Sequence, residues 1–348
     1  MYKQILNKIN DFGFEGYVIG GFVRDRYLGK NSYDIDICTN ASPSDIKRIF
    51  PNSVEKGLFC FKIMSDKYNI EITSYRLEED YDGRRPHNLK LAQSLKQDIM
   101  RRDFTINGIC LDKNENYIDL VDGIKDLNTK VIRCIGDADY KISSDFLRIL
   151  RAIRFASILN FKLDEKLESA MNKYASNVIY LSKYRIRKEF DKILYNNNFE
   201  YGIFLLKKFN IDKYLDIIIP DNIVFCDNIM GMYSQMILDN SYFNKKELKT
   251  YNIIKDYLNK ELNNYDLFCL DIDIIKIIDQ IKHTNYVHQY EKLLIKSVKQ
   301  LDIKYDDVKN LLPKNINYNT IISSVIKEVL NGNISNKKDD IINYIINY

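Results

Sequence analysis

The sequence predicts an α+β fold, in which a small mixed or antiparallel sheet with flanking helices is followed by an all-helical neck, body and tail. Glycines are concentrated in roughly the first 136 residues. Short β-like runs alternate with helical stretches in the same region. From about Asp139 onward, apolar residues recur with the period of a helix. A chain of 348 residues also has room for roughly two or three domains.

Four segments of the N-terminal part have the composition of strands. They are Tyr17–Ile19, Asp34–Thr39, Phe61–Met64 and Asn69–Tyr75. Two later stretches carry apolar residues at helical spacing: Leu147, Leu150, Ile153, Phe155 and Ile158, then Ile186, Phe190, Ile193 and Leu194. With breaks near Pro220, Asp239–Asn240, Pro313 and Gly332, this predicts a head (1–138), a neck (139–200), a body (201–265) and a tail (266–348).

Composition excludes several classes of protein. Hydrophobic residues make up 45% and charged residues 29%, which argues against a disordered chain. The six cysteines are scattered without a CxxC pair, and three histidines do not make a zinc site. No apolar run approaches the roughly 18–20 residues that a membrane span needs, and the N-terminal segment resembles an amphipathic helix more than a signal peptide. We therefore expect a soluble, cytoplasmic protein that does not bind a membrane.

The arginines are unevenly distributed. All fourteen lie between Arg24 and Arg187, whereas lysine is the common cation elsewhere. A planar guanidinium suits phosphate oxygens and base edges, so this region is expected to hold the site. The alternative is that the two halves differ only in surface chemistry. The formal net charge of +4 is too small to prove a polyanionic partner.

A glycine pair follows the first predicted strand. Gly20 and Gly21 allow close approach of a ligand, and the next helix offers free N–H groups to an anion. Arg24 lies one turn into that helix and can add charge at the same place. A Gly-Gly turn alone is also compatible with a simple tight corner.

Asp34 and Asp36 are two positions apart in a predicted strand, so both carboxylates project from one face. Like charges this close are commonly stabilised by a divalent cation. Glu71 supplies a third carboxylate if its strand pairs alongside. Such a set is typical of two-metal phosphoryl or nucleotidyl transfer, although a solvated strand face is the alternative for the Asp pair alone.

Two further segments carry candidate nucleotide-binding side chains. Arg102 and Asn107, where a polar helix is expected to lead into a strand, could reach a triphosphate and a ribose, unless Arg102 simply pairs with Asp103. A second set has strict three-residue spacing along a predicted helix, which places it on one wall of a cleft. Its members are Asp145, Arg148, Arg151 and Arg154.

An acceptor beside a fork donor, as Asp145 and Arg148 provide, can read the Watson–Crick edge of a base. The alternative is a surface salt-bridge ladder.

Together these motifs resemble those of class II tRNA nucleotidyltransferases (CCA-adding enzymes) and bacterial poly(A) polymerases, in the DNA polymerase β-like superfamily. Five ordered segments across about residues 16–195 carry the resemblance: Gly20–Asp36, Arg101–Asn107, Asp119–Arg133, Asp145–Arg154 and Arg185–Glu189. The resemblance implies a polymerase β-like head and helical domains that hold tRNA, with the RNA elbow recognised by shape.

The resemblance also implies an activity: template-independent addition of CCA to the tRNA 3′ end from CTP and ATP. The metal ligands for two Mg²⁺ ions would be Asp34, Asp36 and Glu71. The implied nucleotide contacts are Gly21, Arg24, Arg102, Asp145, Arg148, Arg151 and Arg154. Gly20 and Asn107 are added as nucleotide-binding candidates from the reasoning on the residues above.

Two features bear on which family activity is present. The stretch Arg76–Asp98 resembles the family's flexible loop, which is shortened in enzymes that add only CC, and no Lys/Arg-rich C-terminal extension like that of poly(A) polymerases is seen. Both favour complete CCA addition. A CC-adding, A-adding or poly(A)-adding enzyme, or a catalytically silent RNA-binding relative, remains an alternative. Ser144 stands where the family has Glu, which removes a charge that would brace the arginines.

Overall fold

A computed structural model describes residues 1–81, 86–309, 311 and 317–348. For residues 78–81 and 86–89 it describes the backbone and not the side chains. The residues divide into two compact units, Met1–Ile217 and Ile218–Tyr348. The first unit is mixed α and β and the second is helical, which confirms the predicted fold class. The division into head, neck, body and tail stays a prediction.

The first unit is built around a mixed sheet with strand order β3-β4-β5-β2-β1-β8-β9. Strands β2 and β5 run parallel, and the other neighbouring strands are antiparallel. A β6–β7 hairpin and a short β10–β11 pair lie outside this sheet. The strands are β1 (Gly16–Ile19), β2 (Asp34–Thr39), β3 (Val54–Gly57), β4 (Cys60–Ile63), β5 (Asn69–Ser74), β6 (Arg76–Tyr81), β7 (Pro86–Leu91), β8 (Cys110–Leu111), β9 (Tyr117–Ile118), β10 (Val131–Ile132) and β11 (Lys162–Leu163).

Helices flank this sheet and then continue the first unit. Local signals explain individual boundaries: α3 begins at a Ser42–Asp45 capping box with Pro43 in its first turn. The helices of the first unit are α1 (Tyr2–Asp11), α2 (Gly21–Tyr27), α3 (Pro43–Ile49), α4 (Leu95–Met100), α5 (Gly123–Thr129), α6 (Ala138–Ser144), α7 (Leu147–Leu159), α8 (Glu165–Tyr174), α9 (Lys183–Leu194), α10 (Phe199–Lys208) and α11 (Ile211–Tyr214).

The predicted apolar stripe of α9 is buried, and this helix packs against α7. In α7 most of the stripe is also buried, around a core that includes Leu150 and Ile153. Burial of these two faces fixes α9 beside α7, and that packing positions the charged residues on both helices.

In its described residues, the second unit is helical. Its helices are α12 (Ile229–Ser234), α13 (Lys245–Leu258), α14 (Asn264–Cys269), α15 (Ile272–Lys282), α16 (Tyr286–Glu291), α17 (Tyr305–Val308), α18 (Tyr318–Asn331) and α19 (Lys338–Ile346). The predicted break at Gly332 is confirmed, because this residue ends α18 with a φ of 75°. The break predicted at Pro313 lies outside the described residues.

Two local predictions are corrected by the structure. The segment after Arg102 does not enter a strand directly, since Thr105–Asn107 forms a 3₁₀ turn before β8. Asp145 does not lie on one helix with Arg148, because it has an extended backbone (φ −147°, ψ 103°) between α6 and α7. A three-residue spacing does not reveal where one helix ends and the next begins.

Candidate active site

The turn between β1 and α2 brings the backbone close to a catalytic candidate. Gly20 has φ 84°, a conformation that favours glycine. A Cβ at this position would lie 3.4 Å from Oδ2 of Asp36. The positive φ therefore accounts for glycine at position 20, and this turn places its backbone beside the Asp36 carboxylate.

Asp34 and Asp36 project from the open face of β2, while Ile35 and Ile37 between and beside them are buried. The predicted pairing of the Glu71 strand is confirmed: β5 lies parallel to β2, with Glu71 opposite Asp36. The Glu71 carboxylate is ion-paired with Lys56.

The carboxyl of Asp36 faces a cavity but is surrounded by protein on its other sides. This burial raises the pKa of Asp36 above its usual range, and the nearby carboxylates of Glu71 and Asp34 act in the same direction. The positive charge of Arg102 opposes the shift without cancelling it. A cation beside Asp36 would relieve the same repulsion.

The carboxylate chemistry fits a divalent cation. Within the part of the chain that the structure describes, no three His, Cys, Asp or Glu side chains form a metal-binding group. Mg²⁺, however, is commonly held by one or two carboxylates, with substrate phosphates and water completing its coordination. Asp34 and Asp36 meet that requirement, and the assignment of Glu71 as a third ligand stays a prediction.

The alternative interpretation of Arg102 was an ion pair with Asp103. In the structure Arg102 pairs with Asp98 instead. Its Nη2 donates to Oδ2 of Asp98 at 3.0 Å, and Arg101 contacts the other oxygen of the same carboxylate at 2.9 Å. Burial opposes the ionised form of Asp98, but the two guanidinium groups outweigh it and lower the pKa of this carboxyl. Asp98 therefore fixes two arginines at the edge of the cavity.

A hydrogen-bonded chain connects α2 to α7 through the 3₁₀ turn. Nη1 of Arg24 donates to Oδ1 of Asn107 at 2.8 Å, and Nδ2 of Asn107 donates to Asp103 at 3.3 Å. Asp103 then accepts from Nε of Arg151 at 2.7 Å. Both ends of the Asn107 amide have protein partners, so Asn107 links Arg24 to the Asp103 carboxylate, which in turn holds Arg151.

The Phe155 ring lies among three guanidinium groups. The Cζ atoms of Arg154, Arg24 and Arg151 are 4.2, 5.1 and 5.6 Å from the ring centroid. Cations near an aromatic face are stabilised by its quadrupole. Nη1 of Arg154 is also 3.0 Å from a carboxylate oxygen of Glu189 on α9.

The two predicted base-reading residues are held by different partners. Arg148 is buried, and its Nη1 donates to the Lys141 carbonyl at 2.6 Å and to Oγ of Ser144 at 2.7 Å. Asp145 accepts a hydrogen bond from the backbone N–H of Leu147 and is ion-paired with Arg185. The hydroxyl of Ser144 thus supplies a neutral hydrogen-bond acceptor for Arg148, at the position where the motif resemblance leads us to expect a Glu.

Most of these charged groups line one cavity of about 670 Å³, whereas Glu71, Asp98 and Glu189 do not. Among the described residues, nine cationic side chains and five carboxylates face it, and eight of these cations are arginines. The excess of fixed positive charge suits a polyanion such as a triphosphate. The predicted site residues lining it are Gly20, Gly21, Arg24, Asp34, Asp36, Arg102, Asn107, Asp145, Arg148, Arg151 and Arg154.

Comparison with known proteins identifies the family. The family described as poly A polymerase head domain matches residues 16–133, and the one described as probable RNA and SrmB-binding site of polymerase A matches residues 160–220. A CCA-adding enzyme of Staphylococcus aureus (strain MRSA252) is 31% identical over 98% of this chain and 86% of its own length. The chain belongs to the CCA-adding enzyme family.

Other members share a shorter region or the fold. The CCA-adding enzyme of Lactococcus lactis subsp. lactis is 40% identical over 61% of this chain and 55% of its own length. The chain thus spans about half the length of the first relatives it matches. The crystal structure of the Bacillus stearothermophilus CCA-adding enzyme in complex with CTP superposes with a TM-score of 0.84 at 21% identity, covering 99% of this chain and 96% of that one.

Several groups at this candidate site were missed as site residues by sequence reasoning. Asp103 faces the cavity from within the Arg101–Asn107 motif, and Phe155 does so directly after the Asp145–Arg154 motif. Asp98 lies just before Arg101. An acid directly after an arginine pair was available as a signal for Asp103. Arg185 was noted only as part of a motif, because its partner lies 40 positions away.

The predicted flexible loop is described only in part. Arg76–Tyr81 and Pro86–Leu91 form the antiparallel β6–β7 hairpin, and Arg76 lines the cavity. Residues 82–85 at the centre of the predicted loop lie outside the described residues. No helix in the described ranges is long and apolar enough to span a membrane.

Proposed function

We propose that this chain adds CCA to the 3′ end of tRNA, using CTP and ATP as substrates. The observation that carries the proposal is one cavity that is lined by the Asp34/Asp36 pair, by Asp145 and Arg148, and by further arginines: Arg24, Arg102, Arg151 and Arg154. Membership of the CCA-adding enzyme family supports it. The cytoplasm is the proposed location, in keeping with six free cysteines, only one of them exposed.

In the proposed reaction, the RNA 3′-hydroxyl attacks the α-phosphate of the nucleotide and pyrophosphate leaves. Asp34 and Asp36 would hold two Mg²⁺ ions, with Glu71 as the proposed third carboxylate. Such ions, when bound, activate the attacking hydroxyl and stabilise charge on the transferred phosphoryl group.

The protein's own groups supply binding and orientation. Arg24, Arg102, Arg151 and Arg154 neutralise the triphosphate, and their carboxylate and Asn107 partners keep them in place before substrate arrives. Preorganised charges of this kind cost little reorganisation during the reaction. Asp145 accepts from a base amino group and Arg148 donates to a base acceptor, which selects the nucleotide without a nucleic-acid template.

A poly(A)-adding activity is the second candidate, because the matching head family is described by that name. The test is incorporation of labelled CTP and ATP, separately and together, into tRNA transcripts ending before CCA, at CC and with CCA complete. We expect three additions followed by arrest. Arrest after CC, dependence on a CC end or a growing A tail would each identify a rival activity, and no incorporation with Mg²⁺ would favour a silent RNA-binding relative.

A further inference from the structure

The Arg185–Glu189 segment of α9 carries two charged side chains that contact residues lining the cavity. Residues four apart lie on the same side of a helix. Arg185 contacts Asp145, which precedes α7, and Glu189 contacts Arg154 in the third turn of α7. Helix α9 therefore provides a cation for Asp145 and a carboxylate for Arg154.

Asp145 depends on such outside support because no regular helix holds it. Its backbone is extended between α6 and α7. Nη2 of Arg185 lies 3.3 Å from Oδ1 and 3.4 Å from Oδ2 of this carboxylate, and the Leu147 N–H donates to Oδ1 at 3.1 Å. The two side chains are only 18% and 17% exposed, so water screens the pair weakly.

These contacts leave the carboxylate able to bind more. A carboxylate accepts about four hydrogen bonds, and Asp145 lines the cavity. Arg185 and Leu147 thus set its orientation while capacity remains toward a ligand.

We propose that Arg185 is a positioning residue for base selection: its guanidinium holds the Asp145 carboxylate in the orientation that accepts a hydrogen bond from the amino group of an incoming base. This inference rests on the proposed function. Cytosine presents an amino donor where uracil presents a carbonyl acceptor. The preference for CTP over UTP therefore measures the orientation of Asp145.

The experiment compares kcat/KM for CTP and UTP on a tRNA transcript that ends before CCA. We expect Arg185→Met to lower the CTP/UTP ratio by about tenfold, the size expected for one hydrogen bond to a charged group. Arg185→Lys keeps a cation near Asp145 and should recover part of the ratio. Because the lysine variant preserves charge, it also serves if the methionine variant does not fold.

Two controls on the same helix separate positioning from general loosening of α9. Arg187 is ion-paired with Asp191 and does not line the cavity, so Arg187→Met should keep the wild-type ratio. Glu189→Gln weakens the support of Arg154 and should raise KM for CTP and UTP together. Equal loss of selectivity in the Arg185 and Arg187 variants would overturn the inference.

A double-mutant cycle completes the test. If Arg185 acts through Asp145, adding Arg185→Met to Asp145→Ala should change the CTP/UTP ratio little further. A full additional loss in the double variant would contradict the inference, as would an unchanged ratio in Arg185→Met. Failure of the wild-type protein to incorporate CTP would instead refute the proposed function.

Discussion

Ser144 accepts a hydrogen bond of 2.7 Å from Nη1 of Arg148 and donates one of 3.0 Å to the carbonyl of Lys141. The same carbonyl accepts a second hydrogen bond from Arg148 at 2.6 Å. Neutral oxygens on the α6–α7 corner therefore hold the Arg148 guanidinium, and Ser144 contributes one of them.

The first prediction concerns this brace. Arg148→Ala should blur the choice between CTP and ATP before it abolishes chemistry. Ser144→Ala should have a smaller effect, about two- to tenfold in the CTP/ATP ratio, because Arg148 loses one hydrogen-bond acceptor but keeps the Lys141 carbonyl. The measurement is kcat/KM for each nucleotide on transcripts ending before CCA and at CC.

The matched control is the neighbouring Ser143, which is partly exposed and donates to the Tyr140 carbonyl at 3.1 Å. Ser143→Ala should leave the ratio unchanged. Selectivity that is intact in both Arg148→Ala and Ser144→Ala would refute the template role of Arg148.

The second prediction tests the carboxylate pair. Asp36→Ala should abolish incorporation while tRNA binding, measured by fluorescence anisotropy, stays largely intact. The reason is that Asp36 faces the cavity beside Asp34, whereas its removal leaves the rest of the surface unchanged. The control is Asp66→Asn, which changes an exposed acid outside the cavity and should leave incorporation unchanged. Retained turnover in Asp36→Ala would contradict the assignment of Asp36 as a metal ligand.

The third prediction asks what Glu71 does. If Glu71 serves the reaction, Glu71→Gln should lower kcat much more than Lys56→Met, which removes its ion-pair partner. If the ion pair alone matters, the two variants should show equal and small losses, because exposed pairs contribute only about 0–1 kcal/mol. Single-turnover incorporation distinguishes these outcomes, and the second would withdraw Glu71 from the proposed catalytic set.

The fourth prediction concerns Asp103 and stability. Burial opposes the ionised form of Asp103, but its contacts with Arg151 and with backbone and Asn107 donors lower the pKa of this carboxyl. Asp103→Asn leaves Arg151 without its counter-charge and should cost about 2–3 kcal/mol of unfolding free energy, less than for a fully buried pair because Arg151 is 32% exposed.

The lowered pKa also sets a pH dependence. The stabilisation from Asp103 is present above the unfolded-state pKa of about 4 and is lost as pH falls below it. Thermal unfolding followed from pH 7 to pH 3 should therefore show a flatter acid side in Asp103→Asn than in the wild type. The control is Asp139→Asn, which breaks an exposed ion pair with Lys173 and should change the pH dependence of the unfolding temperature little. Identical acid profiles for Asp103→Asn and the wild type would contradict the stabilising role of the Asp103 carboxylate.

Local sequence rules were sufficient for much of the site. The same-face placement of Asp34 and Asp36 follows from the two-residue period of a strand, and the structure exposes both. The glycine turn before α2 and the two apolar faces of α7 and α9 were predictable for the same kind of reason, since each depends on residues within a few positions of one another.

The charged partners were decided by tertiary packing. Asp145 is 40 positions from Arg185, and Asp103 is 48 positions from Arg151. Sequence spacing could not pair them, because each contact exists only where α7 lies against α9 or where the 3₁₀ turn meets α7. The sequence by itself determined the chemical groups and the faces from which they project. The packing of buried faces decided which charges form ion pairs, because two side chains can pair only where the packing of distant helices and strands brings them within reach.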